Sequence, residues 1–261
     1  MKAGSAYPPV IIAHGLAGRV QAFEVARNIQ TEHSIYALQA KGLDGLEEPF
    51  DRIEDMAAYY LESIRQLRPH GPYLWIGYSF GGLVALEMAQ RLSQAGEKIG
   101  LLVLVDAYPH PRFLSPGQRL RLIVQRAGRH IAEIRGSQAR EAISYIARGI
   151  GRRLRLIEPS GDGRPLGRSR LSLARAEQRI KKKCYVALAH YQPRFYGGKI
   201  KFVKSESDTY FPGDPAGVWG SLVGEFELEI VRGAHLDLMT KNSPELAELL
   251  TRYIREADGQ T

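Results

Sequence analysis

A serine between two glycines is the first feature with chemical potential. Gly77, Ser79 and Gly81 form the pattern Gly-x-Ser-x-Gly, with a short apolar run before it at residues 73–76 and helical periodicity after it at residues 83–95. A sharp strand-to-helix turn of this kind holds its serine in a strained backbone conformation and lifts the hydroxyl above the sheet. The helix that follows favours negative charge at its N-terminus. The pattern alone is common by chance, but in this context it predicts that Ser79 is a nucleophile.

A serine nucleophile requires an adjacent base, because its hydroxyl is weakly nucleophilic at neutral pH. His235 follows the last predicted strand, and no histidine other than His235 lies after His190. His190 falls at the end of a predicted helix, where we interpret it as a surface or packing residue. We therefore predict that His235 takes the proton of Ser79 and passes it to the leaving group.

Two aspartates are candidates for the acid that orients His235. Asp106 directly follows the predicted strand 99–105, and functional groups gather at the carboxyl ends of strands in open α/β sheets. Asp208 follows the later strand 200–204, a position that also suits the acid. An aspartate in a turn or helix cap would give the same local pattern. We favour Asp106, and the order serine, aspartate, histidine along the chain is that of the α/β-hydrolases.

Stabilisation of a developing oxyanion requires two backbone N–H groups close to the nucleophile. One is expected from Phe80, the residue after Ser79. The other is expected from the turn His14-Gly15-Leu16-Ala17-Gly18 after the first predicted strand, and we assign it to Leu16.

The elements that must position these residues alternate along the chain. Short apolar runs predict strands at residues 7–13, 34–39, 73–76, 99–105, 200–204 and 226–231. Helical periodicity and capping signals predict helices at residues 53–67, 83–95, 115–135, 137–156, 172–190 and 244–257. This alternation predicts a mostly parallel central sheet with helices on both faces. Together with the Gly-x-Ser-x-Gly turn and the order of the three candidates, it indicates an α/β-hydrolase fold. We expect one domain, residues 1–261, with a helical lid inserted at residues 110–175.

The composition agrees with a soluble globular protein. The chain has 261 residues, of which 44% are hydrophobic and 25% are charged. Cys184 is the single cysteine, so an intrachain disulfide is excluded. No apolar run approaches the roughly 20 residues that span a bilayer, and residues 1–9 lack the apolar stretch of a signal peptide. We expect a cytoplasmic protein that does not contact a membrane.

Six stretches together resemble a known family, the thioesterase domains that release products from non-ribosomal peptide and polyketide synthetases. In chain order they are residues 14–18, 37–45, 71–82, 104–109, 191–193 and 233–235. The resemblance covers nearly the whole chain apart from the lid. It implies an acyl-enzyme on Ser79, Asp106 as the acid, and a substrate delivered as a thioester on phosphopantetheine. Release would follow by water or by an internal nucleophile that closes a ring.

We expect no metal and no cofactor that belongs to the enzyme itself. The phosphopantetheine of a carrier protein, or coenzyme A, would carry the substrate. Two departures from the family bear on substrate preference. His110 follows Pro109 where the family often has a second proline, and the lid is strongly basic.

The net positive charge of +8 comes from one basic segment, residues 112–183, which contains most of the lid and continues beyond it. Between Arg112 and Lys183 there are 19 Lys and Arg against 5 Asp and Glu, a local net charge of +14. Such a segment suits docking of an acidic carrier protein or of the phosphates of coenzyme A. The alternative is that these side chains form the solvated faces of amphipathic helices, as for Arg119, Arg126, Arg140 and Arg148. Nucleic acid is not expected, because no recognition motif accompanies the charge.

Two rival functions remain open on the sequence. A carboxylesterase or lipase that acts on oxoesters would use the same three residues. A catalytically inactive hydrolase-fold binding protein would keep the fold without the activity.

Overall fold

A central parallel sheet organises the molecule. The computed structural model describes residues 7–18, 22–136, 168–207 and 211–259. Within them the strands pair in the order β2-β1-β3-β4-β5-β6, and each of these pairings is parallel. The strands are β1 Val10–Ala13, β2 Ile35–Ala37, β3 Tyr73–Tyr78, β4 Ile99–Val105, β5 Tyr196–Ser205 and β6 Val223–Val231. The predicted parallel sheet is confirmed.

Helices connect the strands. They are α1 Phe23–Asn28, α2 Ile53–Leu67, α3 Phe80–Gln94, α4 Pro116–Gly136, α5 Arg168–His190, α6 Pro215–Trp219 and α7 Ser243–Ala257. Helix α2 has the predicted bounds, whereas α3 begins at Phe80 rather than at residue 83. The short helices α1 and α6 were not predicted, because elements of six and five residues show too little periodicity.

Both faces of the sheet are buried, and alternate residues of each strand point to opposite faces. In β4, Leu102 and Leu104 pack in the cluster that contains α2, α3 and part of α5. Their neighbours Val103 and Val105 pack in the cluster that contains α1 and α7. Burial of each such side chain contributes about 1.5–3 kcal/mol. Helices on both faces therefore explain why these strands are continuously apolar.

The predicted lid is described only in part. Helix α4 begins as expected, since the backbone N–H of Gln118 donates to Ser115 Oγ (3.3 Å) and the Gln118 side chain accepts from the Ser115 N–H (2.9 Å). The predicted helix at 137–156, with Arg140 and Arg148, lies outside the described residues. The insertion at 110–175 stays a prediction. Among the helices of the described ranges, none is long and apolar enough to cross a membrane.

Candidate active site

Ser79 occupies the sharp turn between β3 and α3. Its backbone is strained, with φ of 54° and ψ of −122°. Its N–H donates to the carbonyl of Val105 at the end of the neighbouring strand (2.8 Å), which ties the turn to β4. A Cβ at Gly77 would lie 2.6 Å from the carbonyl oxygen of Gly81 and 2.7 Å from the nitrogen of Gly82. The turn can close only with glycine at that position.

Asp106 lies one residue beyond β4 and is 1% exposed. Its φ is 46°, a left-handed conformation that aspartate tolerates better than most residues. Its N–H donates to the Val203 carbonyl (2.8 Å), and its Oδ1 accepts the backbone N–H of Ser205 (3.0 Å). The carboxylate is therefore held at the carboxyl end of the sheet by both β4 and β5.

His235 joins the two, from the loop between β6 and α7. Its Nδ1 lies 3.1 Å from Asp106 Oδ2, and its Nε2 lies 3.1 Å from Ser79 Oγ. When Nδ1–H donates to the carboxylate, Nε2 is left as the acceptor for the Ser79 hydroxyl. The structure thus brings together the three side chains that the sequence singled out. Asp208, the alternative acid, lies outside the described residues.

Two aromatic rings contact the His235 imidazole, and neither contact was predicted from the sequence. Tyr78 stacks on it with centroids 4.8 Å apart and an interplanar angle of 18°, and Phe211 lies 4.8 Å away at 57°. The Tyr78 hydroxyl also donates to the His235 backbone carbonyl (2.9 Å). The signal for Tyr78 was its place inside the Gly-x-Ser-x-Gly pattern. Phe211 had no comparable signal, because its contact depends on the path of a loop.

The two residues expected to form an oxyanion hole belong to segments in contact. Phe80 is the first residue of α3, and Leu16 lies in the turn after β1. These segments pack so closely that a Cβ at Gly81 would lie 2.7 Å from the carbonyl oxygen of Ala13. The Gly15 carbonyl accepts the N–H of Gly18 (3.0 Å) and thereby closes the turn around Leu16.

His14 supports that turn from within the core. Its Nδ1 lies 2.8 Å from the Gly15 carbonyl and its Nε2 lies 2.7 Å from the Tyr60 hydroxyl, while its ring stacks near Phe80 at 6.3 Å. Burial lowers the pKa of His14, although the bond to Gly15 opposes this shift. The neutral imidazole donates through Nδ1 and accepts the Tyr60 hydroxyl at Nε2. His14 is thus placed to hold the turn rather than to transfer protons.

The part of the basic segment that is described makes several local ion pairs. Lys183 bonds Asp51 at 2.8 Å, and Arg179 bonds Glu48, so α5 is tied to the loop before α2. His190 is exposed at the end of α5, with Nδ1 2.8 Å from the Val186 carbonyl.

The family of the chain follows from comparison with known proteins. The family model for the Thioesterase domain matches residues 8–161, more than half of the chain. The chain belongs to the thioesterase domain family. This thioesterase domain is 41% identical over 104 residues to the dimodular nonribosomal peptide synthase of Bacillus subtilis (strain 168), a match that covers 40% of this chain. It spans only 4% of that synthase's length.

Solved thioesterases share the fold of this thioesterase domain. A covalent complex of the NocB thioesterase domain with a fluorophosphonate nocardicin G analog superposes with a TM-score of 0.67 at 21% identity, over 97% of this chain and 96% of that one. The type II thioesterase BorB from the borrelidin biosynthetic cluster gives a TM-score of 0.66 at 20% identity, over 97% and 96% of the two chains. The predicted α/β-hydrolase fold is thereby confirmed.

Proposed function

We propose that this thioesterase domain takes an acyl, peptidyl or polyketide chain from a phosphopantetheine thioester onto Ser79 and then releases it. The observation that supports this most directly is the position of His235, whose two ring nitrogens lie 3.1 Å from Ser79 Oγ and 3.1 Å from Asp106 Oδ2. Membership of the thioesterase domain family indicates the class of ester.

In the first step, Ser79 Oγ attacks the thioester carbonyl while its proton moves to His235 Nε2. The negative oxygen of the tetrahedral intermediate accepts hydrogen bonds from the backbone N–H groups of Phe80 and Leu16. Collapse breaks the carbon–sulfur bond, and the departing pantetheine thiolate takes the proton from His235. The chain remains as an ester of Ser79.

In the second step, a nucleophile attacks that ester. His235 removes a proton from water, or from an amine or hydroxyl of the chain itself, and returns it to Ser79 Oγ as the ester bond breaks. Water gives a free acid, and an internal nucleophile gives a ring. His235 accepts and returns the proton in both steps. The pantetheine arm belongs to the substrate and takes part in neither as a cofactor.

The partner we propose is an acyl or peptidyl carrier protein, which holds the thioester. The relative from Bacillus subtilis is a nonribosomal peptide synthase. The basic segment 112–183, with a net charge of +14, would attract an acidic carrier protein and raise its association rate. Coenzyme A, with its phosphates, is the alternative carrier.

Substitution of Ser79 by alanine tests the function. We expect hydrolysis or cyclisation of an N-acetylcysteamine or pantetheine thioester to fall on the order of 10⁴-fold or more, because the nucleophile is gone. Mass spectrometry of the wild-type protein should show an acyl adduct that the variant lacks. Ser63→Ala, at an exposed position of α2, is the matched control. Undiminished turnover by Ser79→Ala would exclude the proposal.

Two assays separate the rival functions. Paired oxoester and thioester substrates with the same acyl group distinguish a thioesterase from a carboxylesterase, and a strong oxoester preference would favour the latter. A fluorophosphonate should label wild-type protein and not Ser79→Ala. Absence of labelling in the wild type would favour an inactive binding protein.

Charge reversal on α5 tests the docking surface. Lys181→Glu with Lys182→Glu, both at exposed positions, should weaken association with an acidic carrier protein at low salt and leave turnover of a small thioester unchanged. Lys98→Glu, before the amino end of β4, is the control. Equal affinity of both variants for the carrier would argue against the basic segment 112–183 as the docking surface.

A further inference from the structure

The base of the triad is attached to the sheet far from the nucleophile. Ser79 follows β3, whereas His235 follows β6, and β4 and β5 lie between those two strands. The loop that carries His235 must therefore cross the carboxyl edge of the sheet to reach Ser79. Asp106 supplies one contact along this path, through Nδ1 of the imidazole (3.1 Å). This bond and the one at Nε2 to Ser79 Oγ (3.1 Å) both lie close to the plane of the ring, and neither packs against a ring face to hold that plane.

Phe211 lies tilted against the ring (4.8 Å, 57°), and Tyr78 makes the parallel stacking contact together with a bond to the main chain of His235. The Tyr78 ring stacks on the imidazole at 4.8 Å and 18°, and its hydroxyl donates to the His235 backbone carbonyl at 2.9 Å. Burial and the negative charge of Asp106 raise the pKa of Tyr78 well above its ordinary value, so the hydroxyl keeps its proton and remains a donor. One side chain thus holds both the ring and the main chain of the base.

The position of Tyr78 makes it a suitable anchor. It is the last residue of β3, is 5% exposed, and pairs in register with Val105, the residue before Asp106. The ring also lies against the turn after β1, since a Cβ at Gly15 would be 3.4 Å from its Cδ1. The Tyr78 ring is therefore confined by the sheet and by the Gly15 turn, and it cannot move away from His235 without disturbing them.

We propose that Tyr78 is a positioning residue that sets the orientation of the His235 imidazole toward Ser79. This inference rests on the proposed function, because it assigns His235 as the base. Stacking on an aromatic face also favours the imidazolium that forms in the transition state. The effect should therefore appear in kcat rather than in KM, since a displaced base still leaves the substrate site intact.

The test compares two substitutions at Tyr78 with a matched one elsewhere. Tyr78→Phe keeps the ring and loses the hydroxyl, whereas Tyr78→Leu loses both contacts. Tyr73→Leu changes a buried tyrosine at the other end of β3, away from the triad. We expect Tyr78→Leu to lower kcat for a thioester roughly 10- to 100-fold with KM within about twofold, as for a slightly misplaced catalytic group. Tyr78→Phe should recover most of that loss, and Tyr73→Leu should keep the wild-type kcat.

A second measurement does not depend on the thioester. When a fluorophosphonate reacts, Ser79 Oγ forms a bond to phosphorus, fluoride leaves, and His235 takes the serine proton. The labelling rate should fall in the same order, with Tyr78→Leu slowest. If wild-type protein is labelled but does not turn over thioesters, the proposed function fails while the role of Tyr78 is still measured.

Folding is checked by thermal unfolding of every variant. Should Tyr78→Leu not fold, Tyr78→Met fills a similar volume without an aromatic face and takes its place. A labelling rate for folded Tyr78→Leu or Tyr78→Met equal to that of wild type would overturn the inference. An equal loss in Tyr73→Leu would also overturn it, because the effect would then reflect general core damage.

Discussion

The backbone N–H of Ser205 donates to Oδ1 of Asp106 across the β4–β5 pair, at 3.0 Å. This bond assigns the two carboxylate oxygens to different partners, because Oδ2 is the atom that faces His235 Nδ1 (3.1 Å). The orientation of the Asp106 carboxylate is thus determined by the main chain of the neighbouring strand.

Substitution of Asp106 by asparagine tests whether the two carboxylate oxygens have these different partners. The Ser205 N–H requires an oxygen, so the asparagine NH₂ would face His235 and donate to Nδ1. The imidazole would then carry its proton on Nε2 and could not accept the Ser79 hydroxyl. We expect kcat to fall on the order of 10³- to 10⁴-fold with little loss of stability. Steady-state kinetics and thermal unfolding measure both quantities, and a loss below tenfold would contradict the role of Asp106.

Alanine at Gly77 should prevent the turn that carries Ser79 from closing. The added Cβ would lie 2.6 Å from the Gly81 carbonyl oxygen, a backbone atom that cannot move without displacing Ser79. We expect a loss of activity together with destabilisation of about 1–3 kcal/mol or more, the usual cost of overpacking a rigid site. Gly117→Ala, where a Cβ would meet nothing within 4 Å, should behave as wild type. Equal melting temperatures for the two variants would contradict this account.

The buried imidazole of His14 should make stability depend on pH. Burial lowers its folded pKa below the ordinary 6.5, so the unfolded state binds the proton more readily. The contribution of His14 is therefore complete above about pH 6.5 and is lost as the pH falls below it, with a slope of at most about 1.4 kcal/mol per pH unit.

Thermal unfolding between pH 8 and pH 5 measures this dependence. The variant His14→Gln lacks the titrating group and should show a shallower decline, although its stability at pH 8 should be lower. His110, whose pKa is also lowered by burial, stays in both proteins. Parallel curves for wild type and His14→Gln would show that His14 is not responsible.

Glu87 should stabilise the segment where α5 returns to the core. Its carboxylate is 1% exposed and accepts bonds from Arg91 (2.8 Å), Arg194 (3.3 Å) and the Tyr191 hydroxyl (3.1 Å). Glu87→Leu leaves that buried hydroxyl without this acceptor, and we expect a cost of about 1–3 kcal/mol in the free energy of unfolding.

A double-mutant cycle with Tyr191→Phe tests this explanation. Removing both polar partners should restore part of the stability, because no unpaired hydroxyl remains. Urea unfolding of the four proteins gives the coupling energy. If the two changes in the free energy of unfolding were strictly additive, the Tyr191 hydroxyl would contribute to stability independently of Glu87.

The long, regular elements could be predicted because their signals are local. Helix α2 has the expected bounds, Ile53–Leu67, and β4 has the expected Ile99–Val105. The early start of α3 was not predicted, because residues 80–82 carry no helical periodicity. Their helical conformation depends on the turn at Ser79 and on close packing against β3. The short helices α1 and α6 depend on tertiary packing, as Trp219 shows by donating from Nε1 to the Ala107 carbonyl (3.1 Å).

The sequence by itself determined the types and order of the three catalytic candidates. Ser79, Asp106 and His235 each follow a strand, and parallel strands direct their carboxyl ends to one edge of a sheet. The tertiary structure decided their distances and supporting contacts, since residues from 99 to 157 positions apart meet only when the sheet has formed. The stacking of Tyr78 on His235 and the bond from Ser205 to Asp106 are therefore properties of the folded sheet, which no local pattern along the chain encodes.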